Sequence, residues 1–141
     1  MHSELIWGIT IRPLRNGETD VIQAVFDQLG PTSRLLRFNG AKNVLTPSDL
    51  AVLARVDGDH HVLVAWVDGK PIGVGRLVRD GDAAEVAFAV ADEWQGKGVG
   101  SVLAERLGED ARAAGIAHLC AEVRPDNARS LALGRHLQPA A

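Results

Sequence analysis

The segment Gln95-Gly96-Lys97-Gly98-Val99-Gly100 constrains this chain more than any other six residues. It stands between an apolar run, AAEVAFAV (83–90), and a helical pattern over about 99–114. In that pattern Val99, Val102, Leu103, Leu107 and Ala111 share one face, while Glu105, Glu109 and Arg112 point elsewhere. The first amides of a helix have no intrahelical partner and lie at the positive end of its dipole. Glycines at that point let the backbone approach a ligand closely and take positive φ. A strand running through such a turn into a helix is therefore an anion seat, suited to phosphate.

Three phosphate-binding patterns compete for this turn. A Walker A loop needs glycine at position 91 and Ser or Thr directly after the lysine, where this chain has Ala91 and Gly98. A dinucleotide fingerprint built on Gly98-x-Gly100 needs a third glycine where Leu103 stands. The pattern Gln/Arg-x-x-Gly-x-Gly/Ala is met position by position by Gln95, Gly98 and Gly100. The bland alternative is that the glycines only ease a corner between strand and helix.

The remaining chain agrees with a small mixed α/β domain. Residues 9–14 read as a first strand, closed by Pro13 and the Asn16-Gly17 turn signal. A helix is expected from about Asp20 to Leu29, with Ile22, Val25, Phe26 and Leu29 on one face and Asp20 and Gln23 at capping-box spacing. PTSRLLRF (31–38) reads as a second short helix. A third begins at Thr46, a good N-cap, with Pro47 in its first turn and Leu45 placed to staple against Leu50. From His60 the texture changes: HHVLVAWV, a DGK turn, PIGVGRLV, the Asp80-Gly81-Asp82 turn and AAEVAFAV form an antiparallel meander. After the long helix, which Gly115 ends, HLCAEVR is a strand and 127–137 a last helix.

At 141 residues, 46% hydrophobic and 23% charged, the chain is expected to form one domain, 1–141, with a real core. A net charge of -3 argues against sequence-independent nucleic-acid binding. No apolar run has membrane-spanning length, and residues 1–10 lack the pattern of a secretory signal. The single cysteine, Cys120, has no internal disulfide partner, and together these features lead to an expected cytoplasmic location.

The stretch from AAEVAFAV through WQGKGVG to DNARSLAL, with DGDHHVLVAWVDGKPIGVGRLVR upstream, resembles the acyl-CoA core of the GNAT N-acetyltransferases. PTSRLLRF and TPSDLAVLARVDG resemble segments of the bacterial protein-lysine acetyltransferases called Pat. The resemblance implies a mostly antiparallel sheet flanked by helices and acetyl-CoA as co-substrate. It implies that backbone amides of Gln95, Gly96, Lys97, Gly98, Val99 and Gly100 hold the pyrophosphate. Ala89, Val90 and Ala91 are then expected along the pantetheine arm, and Asn127 near the same arm. Glu85 matches the glutamate that acts as general base in Pat-like proteins, and the acceptor is expected to be a primary amine, a protein lysine first among them. An amine of pKa about 10.4 costs roughly 4–5 kcal/mol to deprotonate at neutral pH, so a desolvating pocket and a carboxylate are useful to such a reaction. The tetrahedral intermediate also needs a backbone donor, which the strand edge near Val90 is placed to provide.

The chain departs from the family pattern in two places. Gly134 stands where many members carry a tyrosine as general acid, and the sequence contains no tyrosine. Gln138-Pro139 stands where a Gly-Phe and two more strands usually follow. The last two family strands are therefore expected to be missing, with HLCAEVR an open edge that a second copy, as a homodimer, or another chain covers.

Several residues have plainer readings. His60 and His61 are adjacent on a strand, face opposite sides and do not share a metal. Cys120 reads as a core thiol, Trp66 and Trp94 as packing residues, and Arg34 and Arg37 as a solvated helix face. Glu85, equally, reads as a lone charge facing solvent. Beside the transferase stands a second reading, a non-catalytic acyl-CoA-binding sensor, which has no use for a base at Glu85.

Overall fold

The computed structural model describes residues 8–30 and 44–121. Five strands form one sheet in chain order: β1 (Thr10–Pro13), β2 (His60–Val67), β3 (Lys70–Asp80), β4 (Ala83–Val90) and β5 (His118–Ala121). The first three pairings are antiparallel; β4 and β5 run parallel. Tight turns dictate the antiparallel part, because Asp68-Gly69 and Gly81 adopt the positive φ that two-residue hairpins need. The parallel pair needs a crossover, and helix α3 (Val99–Ala113) supplies it. Helices α1 (Thr19–Phe26) and α2 (Pro47–Leu53) lie between β1 and β2 in the chain.

Strand alternation sends side chains to two faces, and each face has its own core. On one, Leu63, Ala65, Leu77, Ala84 and Val86 meet Val99, Leu103, Ala104, Leu107 and Ala111 of α3. On the other, Val62, Val64 and Ala89 meet Val21, Ile22 and Phe26 of α1, with Leu14, Leu29 and Leu45. The α3 contact depends on two glycines of β3. A Cβ on Gly73 would sit 3.2 Å from Val99 Cγ1, and one on Gly75 would sit 2.9 Å from Leu107 Cδ1. Bare backbone at both positions lets the helix lie close over the sheet.

The helices follow the expected periodicities, with differences at their ends. Thr46 caps α2 in a capping box with Asp49: Asp49 N–H donates to Thr46 Oγ1 (3.1 Å) and Thr46 N–H to Asp49 Oδ2 (2.9 Å). The box expected at Asp20 and Gln23 does not form. α1 starts a residue earlier, its N-cap is Glu18, and Glu18 uses its carboxylate on the Arg15 N–H at 2.8 Å. Gln23 instead donates to Asp27 one turn on (2.8 Å). The helix stops at Phe26 rather than Leu29, because Gln28 and Leu29 tighten to i−3 bonds with Val25 and Phe26. In α3, Val102 is only half-buried, and Gly108 joins the buried face.

Cys120 is exposed, not a core thiol. Alternation along β5 sets Leu119 against the α3 core and Cys120 on the opposite face, where no described element covers it. The segments expected as helices at 31–38 and 127–137, Asn127 and Gly134, and the chain beyond Ala121 lie outside the described residues. Among those described, no helix is long and apolar enough to cross a membrane.

Candidate acyl-CoA site

The glycine turn grows out of the end of β4. Ala91 is fully buried and its N–H donates to the Ile72 carbonyl at 2.8 Å. That bond makes Gly73 and Val90 a non-hydrogen-bonded pair, so Phe88 and Val90 turn their own N–H and C=O groups away from β3. On that outer side β5 pairs with Ala83–Val86 and no further. Among the described residues, the outer edge of β4 from Ala87 to Val90 thus has no strand beside it. The Val90 carbonyl on this edge accepts a hydrogen bond from Gln95 Nε2 at 3.0 Å, so the first residue of the motif folds back onto the strand that precedes it.

Between strand and helix the chain makes one 3₁₀ turn, Asp92–Trp94, closed by Trp94 N–H to the Ala91 carbonyl at 2.8 Å. Trp94 packs partly into the α3 core. Gln95 is extended, Gly96 has φ 77°, and Gly98, the N-cap of α3, has φ 92°. An L side chain rarely takes the latter two conformations, and here they swing the backbone round to start the helix. No side chain caps α3, and its first turn carries no acidic residue. Val99, 1% exposed, is anchored in the core beneath Gly73. Gln95, Gly96 and Lys97 are exposed; Gly98 and Gly100 are half-exposed. The result is a helix start anchored from below by Val99, without a side-chain cap among the described residues and with a lysine beside it, which suits a phosphate.

Ala89, Val90 and Ala91 line the last turnless stretch before this seat. Ala89 faces α1 and Val90 packs partly against the α3 core. Glu85 lies earlier on the same strand, about 17 Å from Val90 at the usual rise per strand residue. It is exposed and on the face toward α1 and α2, aligned with Val78 of β3 and Cys120 of β5. The sequence and its resemblance mark Gln95 to Gly100, Ala89 to Ala91 and Glu85; the sheet adds Cys120 and Arg76 as neighbours of Glu85.

Arg76 was not legible as a site residue. It pairs with Ala87, which places it diagonal to Glu85 on the same face. Arg76 is half-buried and lines a small pocket together with Ile22, Val25, Leu53 and Val74. Nη2 donates to the Val52 carbonyl at a long 3.3 Å, and Nε is buried without a partner. Burial pushes its pKa down and the Glu85 charge works against that shift. The only signal in the sequence is one arginine within the apolar stretch PIGVGRLV.

The Acetyltransferase (GNAT) family model matches residues 32–137. This chain belongs to the GNAT acetyltransferase family. It is 40% identical over 84 residues to acetyltransferase Pat of Mycolicibacterium smegmatis, which covers 55% of this chain and 25% of that protein. Against acetyltransferase PA5475 of Pseudomonas aeruginosa it is 30% identical over 115 residues, 77% of this chain and 62% of the relative. The chain thus spans a quarter and somewhat under two thirds of these two curated relatives. Among solved structures it is similar to the GNAT domain of S. lividans PAT, with TM-score 0.83 and 30% identity over 89% of this chain and 77% of that one. The mixed α/β architecture and the Pat-like resemblance hold, and GNAT acetyltransferases use acetyl-CoA as co-substrate.

Proposed function

We propose that this GNAT chain transfers an acetyl group from acetyl-CoA to a primary amine, with a protein lysine as acceptor. The observation that carries this reading is the glycine-flanked start of α3, without a side-chain cap, at the end of a strand whose outer edge has no partner strand among the described residues. Amides of Gln95 through Gly100 hold the pyrophosphate. Ala89, Val90 and Ala91 lie along the pantetheine arm, and the outward Val90 N–H is aimed where the thioester oxygen gathers charge. Asn127 adds a contact near the arm. Acetyl-CoA supplies an activated acyl carbon with a thiolate leaving group. Glu85, about 17 Å along β4 from Val90, takes through intervening water the proton that the amine sheds as its nitrogen bonds to that carbon. The C–S bond then breaks, and solvent protonates the departing thiolate, because Gly134 stands where many members carry the tyrosine general acid.

Calorimetric titration with acetyl-CoA, followed by thiol release on adding a lysine-rich protein mixture, tests the proposal. Binding with release supports it. Binding without release favours a non-catalytic acyl-CoA sensor, and absence of binding removes the anion seat itself.

A further inference from the structure

Arg76 and Glu85 carry opposite charges on one face of the sheet, yet they do not form an ion pair. Glu85 aligns with Val78 and Arg76 with Ala87, so the two are diagonal, with Cβ atoms about 7 Å apart. The same-face neighbours of this diagonal are Ala87, opposite Arg76, and Val78, opposite Glu85, with Ala89 next along β4.

The state of Arg76 is unusual for an arginine. Of its five N–H donors, one reaches a protein acceptor at the long distance of 3.3 Å, and Nε meets none. Eight apolar side chains, from Ile22 on α1 to Ala89 on β4, surround the small cavity against which it lies, about 20 Å³ in volume. The guanidinium is half-buried, with Nε buried and unpartnered and its terminal nitrogens open to a ligand; a buried unpartnered donor is costly, and an anion reaching this group would satisfy it. Glu85 is not that anion at hydrogen-bond distance, and it is exposed.

We propose that Arg76 is a specificity residue of the acceptor site, binding the carboxylate of an acidic residue adjacent to the lysine that is acetylated. This rests on the reading of Glu85 as the base for that lysine. The arrangement sorts the acceptor's charges by sign: the amine goes to Glu85 and the carboxylate to Arg76, across the alanine floor. A planar guanidinium suits a carboxylate by two parallel hydrogen bonds, which a lysine at position 76 would not reproduce.

The test uses the full chain saturated with coenzyme A and two short peptides that differ in one group, Ac-Lys-Glu-NH2 and Ac-Lys-Gln-NH2. Calorimetry measures binding, and acetyl-CoA with thiol detection measures turnover. The glutamyl peptide is expected to bind about 10- to 100-fold more tightly, with the difference in KM rather than kcat. Arg76→Gln is expected to erase the preference, and Arg76→Lys to restore only part of it. Comparing two ligands on the wild-type chain keeps the result independent of whether a variant folds well. Equal affinity for both peptides on the wild type, no binding of either, or a preference that survives Arg76→Gln overturns the proposal. Turnover without preference leaves the transferase standing and removes the role of Arg76. Arg76-dependent binding without turnover keeps that role and removes the transferase.

Discussion

The Gly30 N–H donates to Asp92 Oδ2 at 2.9 Å, across 62 residues of sequence. This bond ties the end of α1 to the first residue of the turn that leads into the glycine seat. Asp92 N–H returns to the Gln28 carbonyl (3.1 Å), and Gln28 Nε2 reaches the Pro71 carbonyl (2.7 Å), so α1, β3 and the turn meet at one junction. A Cβ on Gly30 would collide with the Asp92 carboxylate. Gly30→Ala is expected to lower stability by about 1–3 kcal/mol, through that collision and the loss of the bond. It should also weaken acetyl-CoA binding, because the turn loses its tether. Urea unfolding and calorimetry read the two effects separately; unchanged affinity would show that the seat holds itself.

Gly98 requires a different substitution. Its φ of 92° costs an L residue about 1–2 kcal/mol, and alanine there either stays strained or moves the start of α3. Gly98→Ala is expected to reduce acetyl-CoA affinity at least tenfold. Gly115→Ala, at φ 81° at the other end of the helix, costs comparable strain but leaves affinity unchanged. Equal loss of affinity in both variants would reduce the effect to general destabilisation.

Glu85→Gln separates catalysis from cofactor binding. With Glu85 as base, kcat falls by about 10²–10⁴ while acetyl-CoA affinity stays within about twofold. The variant keeps the fold, because Glu85 is exposed. Steady-state kinetics with saturating acetyl-CoA decide the matter, and full residual activity removes Glu85 from the mechanism.

Packing under α3 predicts a purely structural variant. Gly75→Ala introduces a Cβ at 2.9 Å from Leu107 Cδ1 and 3.1 Å from Phe88 Cε1, both on the buried side of the sheet. Overpacking of this kind costs about 1–3 kcal/mol, and the melting temperature is expected to fall by several degrees. A variant as stable as the parent would mean that α3 rides further from β3 than its contacts imply.

Asp57 is expected to contribute to the loss of stability in acid. Its carboxylate accepts from His60 Nδ1 (2.7 Å), from the Asp59 N–H (2.9 Å) and from Arg55 Nε (2.8 Å). The His60 side chain foremost, then the Asp59 amide, holds its pKa well below the ordinary 3.8. A carboxylate depressed on folding contributes stability that is present above its unfolded pKa and is lost as pH falls through the folded one. The urea midpoint of Asp57→Asn is therefore expected to lie below wild type at pH 6, with the gap narrowing steadily below about pH 4. A gap that stays constant down to pH 2.5 would place the effect in the turn geometry and not in the charge.

Local chemistry made much of this chain readable. The 3.6-residue spacing in 99–114 marks α3 because one face must enter a core, and the glycines of Gln95–Gly100 mark the helix start because only they take the left-handed conformations it uses. Thr46, Pro47 and Asp49 specify the start of α2 within four residues, for the same local reason. The capping box expected at Asp20 failed because a tighter local bond, Glu18 to Arg15, was available.

Only the tertiary structure decided which residues meet across strands. The register of β3, β4 and β5 puts Arg76 diagonal to Glu85 and Cys120 alongside it, and a shift of one residue would send each to the other face. The same holds for His61 and Asp110, joined at 2.8 Å between β2 and α3, and for Gly30 and Asp92. Periodicity tells a residue which kind of surface it occupies. Partners tens of residues apart are chosen by how the sheet and helices close together, and Cys120 is exposed because no described element closes over its side of β5.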